Sequence, residues 1–223
     1  MRSARWLPAM ALAGAIFALP VHAEWPYFGP SLKTGRVALH KVVILPAQFA
    51  YKVIGLKGVK GGTEEGEQIG VNLASAVAAE LARRGVEILP SPRDAAKTDS
   101  EKYAIADLET RYDTVGLLIR KKPGLIREGR LTLDDRVAGF APGTGADALV
   151  FLRGHGEARQ PIGAFGTADL HIDVAFVGAK TGEVLGLVRF GIYLSHKEIE
   201  NRLASGFREA LHDLPLPLPP PKH

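Results

Sequence analysis

Asp169-x-His171-x-Asp173 is the densest set of chemistry-bearing side chains in the sequence. Alternate residues of a strand point the same way, roughly 7 Å apart, so this spacing lines up two carboxylates and an imidazole. Neighbours at that spacing can share one metal ion, but the outer pair cannot, and zinc would need a further ligand from elsewhere. Two readings follow. In one, Asp169, His171 and Asp173 belong to a metal-binding protein or metal-dependent hydrolase. In the other, which is favoured, they form the wet face of a half-buried antiparallel sheet, with Asp173 paired to Arg189.

The remaining motifs carry less. Gly154-His155-Gly156-Glu157 lacks the third glycine and following helix of a phosphate loop, since Arg159 stands in that place; it reads as a strand bend or bulge. Lys180-Thr181-Gly182 fits a three-residue hairpin loop better than a Walker loop. There is no G-x-S-x-G elbow, no H-E-x-x-H and no cysteine, so no familiar nucleophile is set up and no cofactor is expected. Arg120, Lys121, Lys122, Arg127 and Arg130 are the densest basic cluster. They suit an anionic lipid, a glycan or an acidic partner, or else a solvated helix end. The aromatic residues Trp25, Tyr27 and Phe28 are a second candidate contact surface.

These side chains need a scaffold, and its elements are legible. Residues 37–46 are β-rich and apolar, fit for a strand buried on both faces, and 49–54 suggest a second extended piece before a loop at 57–62. A helix begins near Thr63, with Ile69, Leu73, Val77 and Leu81 in one stripe, small alanines beside it, and Gly85 placed to end it. With the short strand 86–89 it makes a right-handed βαβ unit. A second amphipathic helix spans 100–120, and Thr132 to Asp135 suggest a cap for a short helix to about residue 140.

The last third alternates clearly. Residues 148–153 read as a central strand. In 168–177, Leu170, Ile172, Val174 and Phe176 share one face. The return strand 185–193, with Ala179 opposite Glu183, brings Arg189 against Asp173. Ser195-His196-Lys197-Glu198 is a capping box opening a final helix that carries Ile199, Leu203, Phe207 and Leu211. The expected fold is α/β: one domain, a mixed sheet of about five strands with helices packed on it, and a C-terminal antiparallel meander followed by a helix.

The chain's start supplies an address. A short basic stretch, an apolar run from Trp6 to Leu19 and small residues before Ala23 have the layout of a secretory signal cleaved between Ala23 and Glu24. The run is shorter than the roughly 20 residues of a spanning helix. Residues 1–23 are thus a signal peptide, 24–36 an N-terminal arm, 37–213 the α/β domain and 214–223 a Pro-rich disordered tail. Removing 23 of 223 residues leaves 200 and, with Arg2 and Arg5, lowers the net charge from +4 to +2. That near balance argues against a nucleic-acid binder. The periplasm is the expected compartment, with full secretion as the alternative. A soluble product is expected, with at most peripheral membrane contact.

The order of elements resembles the periplasmic domains related to the TolB N-terminal domain and the curli secretion protein CsgG, with LpoB and PelC as similar relatives. KVVILPAQF, EEGEQIGVNLASAVAAELARRGVEILP, ADALVFLRGHGEA and HIDVAFVGAKTGEVLGLVRF carry the likeness. It implies a non-enzymatic envelope protein that binds envelope protein partners, often as a homo-oligomer, and it transfers no catalytic residues. The chain departs in lacking the lipidated cysteine typical of CsgG, LpoB and PelC, and in lacking the paired long alternating segments of a membrane pore.

Overall fold

Three strands of twelve residues each form the spine of the molecule: β7 (Ala148–Arg159), β8 (Thr167–Gly178) and β9 (Val184–Ser195). They pair antiparallel in sequence order. The computed structural model describes residues 22–23, 26–91, 98–134, 137, 145–159, 167–195 and 199–216. The hairpin between β8 and β9 closes on Gly182, at φ +68°. Asp173 stands opposite Arg189, as the alternation requires. The expected Ala179–Glu183 pairing does not form. A register shift beyond Phe176 brings Val177 opposite Val184, and the Gly178 amide donates to the Glu183 carbonyl.

On the other flank of β7, two strands run parallel to it end to end. Strand β3 (Lys41–Ile44) pairs with the Ala148–Val150 end, and β4 (Gln48–Gly55) with Arg153 to Arg159. The register slips by one residue between these ladders, in the stretch holding Pro46, which has no amide hydrogen to donate. The long strand expected over 37–46 is therefore only four residues. The loop expected at 57–62 is instead β5 (Gly58–Gly61), which folds back on β4 as a hairpin. Beyond β3, β6 (Glu87–Leu89) pairs parallel. It closes the β3–helix–β6 unit around helix α2 (Thr63–Arg83), with Gly85 at φ +86° after the helix end.

Two very short strands pair with β9: β1 (His22–Ala23), which lies inside the 1–23 segment expected to be cleaved off, and β2 (Tyr27–Phe28). Helix α1 (Pro30–Lys33) follows them. Among the described residues the sheet thus has nine strands rather than about five; the class is α/β as expected. The additions are pieces of two to four residues, too short to show a period. The arm at 24–36 is ordered in part, and Ser31 is fully buried with its hydroxyl on both Glu183 carboxylate oxygens (2.8 and 2.6 Å).

Each face of the sheet has its own core. On one face α2 and α5 (Ile199–Ala210) cover the sheet, with Ile69, Leu73, Val77 and Leu81 packed with Leu203, Phe207, Leu170 and Phe190. Helix α2 lies close against β4 at Gly66. A Cβ there would lie 2.7 Å from the Phe49 carbonyl. On the other face lie α3 (Asp99–Lys121) and α4 (Gly124–Arg127). Leu108, Tyr112 and Ile119 cover Leu149, Phe151 and Leu187 there. Leu214 is buried and Leu216 packs beside it, so the first residues of the Pro-rich tail belong to the core. The expected capping box at 196–198, most of the short helix to residue 140, and the tail from 217 lie outside the described residues.

Candidate functional site

Among the described residues, helix α3 leaves part of its sheet face uncovered. Its contacts step across the strands: Gln48 on β4 donates to Glu109 (3.1 Å), Asp113 accepts from Arg153 on β7 (2.8 Å), and Arg120 borders a cleft with β8 and β9. Beyond the helix, the strand registers stack side chains in rows across β4, β7, β8 and β9. Gln48, Arg153, Asp173 and Arg189 form the row nearest α3. Ala50, His155, His171 and Gly191 form the next, then Lys52, Glu157, Asp169 and Tyr193. The three rows make a polar shelf: in the row nearest α3 only Gln48 is exposed, and the other two rows are exposed or half-buried.

Glycine and aromatic residues share the work of building it. The strand bend expected at Gly154 to Gly156 does not occur; β7 runs straight through in unbroken register. Both glycines face the α2 side, where Phe49 and Tyr51 of the neighbouring β4 lay their rings over them. A Cβ on Gly154 would run into the Phe49 ring, and one on Gly156 would sit 2.5 Å from Leu170 Cδ2. Small residues inward thus let β7 lie flat while Arg153, His155 and Glu157 point outward.

Three elements hold Arg153, which is nine-tenths buried. Its Nε donates to Asp113 and its Nη1 to the Leu152 carbonyl (3.2 Å). The guanidinium lies 5.1 Å from the centre of the Tyr112 ring, which itself stacks on Phe151 at 4.2 Å. Burial pushes the Tyr112 phenol well above its usual range. The Nη2 of Arg153 is screened from solvent and has no hydrogen-bond partner among the described residues.

The Asp-x-His-x-Asp row does share one face, but its members have different partners. Asp173 takes Arg189 Nε at 2.7 Å and Nη2 at 3.5 Å. Asp169 lies 3.6 Å from His171 Nε2. His171 stacks on His155, ring centres 4.9 Å apart. Burial, and then the neighbouring His171, hold the His155 imidazole below its usual pKa. In the outer row Glu157 bridges Lys52 (3.0 Å) and Arg159 (2.8 Å), and the Lys52 bond is the larger cause of its lowered pKa. Among the described residues, no three His, Asp or Glu side chains gather in a way that would hold a metal.

The basic cluster divides. Arg120 turns to the cleft, while Lys121 and Lys122 are exposed. Arg127 sits over the Tyr27 ring at 4.8 Å, and Arg130 pairs with Glu128 at 3.1 Å. Of the aromatic set, Phe28 is buried against Gly186 and offers no surface; Trp25 and Glu24 lie outside the described residues. Sequence reasoning missed Gln48, Arg153 and His155 as site residues. For Arg153 and His155 the signal is the period-2 run Arg153, His155, Glu157, Arg159, hidden because the apolar run of the strand stops at Arg153.

Arg120, Arg153, Arg189, His155, His171, Asp173 and Gln48 line a cleft of about 620 Å³ at the foot of α3. A smaller one of about 440 Å³ adjoins it along Lys52, Glu157 and Asp169. No helix among the described residues is long and apolar enough to cross a membrane.

No protein-family model matches the sequence, and no curated protein matches it. Among solved structures, the chain is similar to the PelC dodecamer from Paraburkholderia phytofirmans, with 12% identity and a TM-score of 0.43 over 89% of this chain and 99% of that one. It is also similar to lipoprotein GNA1162 from Neisseria meningitidis, with 12% identity and a TM-score of 0.40 over 77% of this chain and 96% of that one.

Proposed function

We propose that this protein is a non-enzymatic scaffold or adaptor, exported to the cell envelope, that works by binding protein partners and copies of itself. The carrying observation is the shelf: three cross-strand rows of mostly polar residues on the part of the sheet face that α3 leaves uncovered among the described residues. Its charged groups are held in pairs, Asp173 with Arg189 and Glu157 with Lys52. Held charges of both signs on a flat strand surface suit docking, where complementary charge sets register and partner choice. The signal layout at residues 1–23 supports export, and the order of elements supports an envelope role.

Photo-crosslinking from Tyr193 and His155 in intact cells, followed by fractionation, tests this reading. The expected result is a processed chain in the envelope fraction, joined at both positions to a specific envelope protein or to a second copy. An unprocessed cytoplasmic chain, or no crosslinked product from either position, refutes it.

A further inference from the structure

We infer that the cleft beside α3 is a binding site for an oxyanion, a carboxylate or a phosphate presented by a small molecule or a chain end. This deepens the docking reading and rests on it for the shelf as the contact surface. Among the described residues, the lining carries three guanidinium groups, from Arg120, Arg153 and Arg189, and one carboxylate, that of Asp173, which Arg189 already holds. Asp113 is half-exposed outside the lining and accepts from Arg153 Nε. Glu109, also outside the lining, accepts from Gln48. Guanidinium groups are planar and delocalised, and they recognise carboxylates and phosphates through paired donors.

The second observation is independent of the charge balance. Arg153 is nine-tenths buried and fixed by Asp113, Leu152 and the Tyr112 ring, yet its Nη2 donates to nothing among the described residues. A buried donor without an acceptor is costly, and the cost is relieved when an acceptor arrives. The arginine is therefore already oriented, and little side-chain freedom is lost on binding. Arg120, exposed at the last turn of α3, is the second arm of the pair. At about 620 Å³, the cleft has the size of a small-molecule site. His155 and His171 form its outer lip.

The test is calorimetric titration of the purified full chain with inorganic phosphate and with succinate at low ionic strength, with sodium chloride matched for ionic strength as control. At least one of the two should bind saturably where chloride does not. Phosphate alone assigns a phosphate ligand, and succinate alone a carboxylate. Arg120→Ala should weaken binding about tenfold or more, the loss of one charged hydrogen bond. Arg153→Lys, which keeps the charge but not the fork, should do the same. Arg130→Ala, away from the cleft, should bind as the parent does. Saturable binding of neither anion overturns the proposal, as does parent-like affinity in Arg120→Ala when its unfolding temperature is unchanged. No partner protein is present in this assay, so the anion site and the docking reading fail separately.

Discussion

Glu80 is the most consequential charged residue in the core, and Glu80→Gln tests what it does. It lies on α2 facing α5, only 5% exposed. It accepts from Arg83 Nη2 (2.6 Å) and Arg84 Nε (2.8 Å), and Arg208 Nε stands 3.6 Å away. Arg84 in turn reaches across to the Leu211 carbonyl at 2.5 Å, so the carboxylate anchors the cross-tie between the two helices. The hydrogen bond from Arg83 is the largest cause holding its pKa down, from 4.5 to about 2, against the opposing effect of burial. Taken whole, that shift corresponds to a ceiling of about 3 kcal/mol. Water around the half-exposed Arg83 screens the interaction, which brings the expected cost of Glu80→Gln at neutral pH to about 2 kcal/mol.

The sign follows from linkage. A group whose pKa is lower folded than unfolded adds stability above its unfolded value, and that stability fades as pH falls toward its folded value. The parent should therefore lose this contribution between pH 4.5 and about 2, whereas Glu80→Gln has none to lose. Urea unfolding at pH 7 and at pH 3 measures it. The two chains should differ by about 2 kcal/mol at pH 7, equivalent to about 4–8 °C in melting temperature for a domain of this size, and the gap should narrow at pH 3. Equal stability at pH 7, or a gap that widens on acidification, would refute the assigned role.

Three further outcomes follow from the packing. In NMR titration, His155 should protonate below the usual histidine range, and His171→Ala should raise its pKa by removing the neighbouring positive charge; no change on that substitution would rule out the coupling. Gly182→Ala puts a Cβ into the Asp134 carbonyl at a left-handed position. It should cost about 1–3 kcal/mol in chemical denaturation, and a neutral effect would mean that the β8–β9 hairpin is not held in this form. Ending the chain at Asp213 removes the buried Leu214 and its neighbour Leu216, and should cost about 1.5–3 kcal/mol; an unchanged melting temperature would restore the reading of the whole tail as a loose end.

The sequence by itself determined the long elements and their inward faces, because those depend on local periodicity. Ile69, Leu73, Val77 and Leu81 recur every fourth residue. Leu170 to Phe176 alternate, and both patterns are buried as read. Even the Asp173–Arg189 pairing was legible from the alternation of the two strands, although the hairpin itself closes one residue out of the expected register. What joins β4 to β7 was not. That pairing spans about a hundred residues, and no local pattern says that Phe49 and Tyr51 lie beside Gly154 and Gly156. The candidate site depends on such distant contacts: Arg153 meets Asp113 across 40 residues. The sequence gathered acids and bases by proximity along the chain, at Asp169 to Asp173 and Arg120 to Arg130. The tertiary structure regrouped them by strand register, taking Arg120 from one cluster and Asp173 from the other into a single cleft.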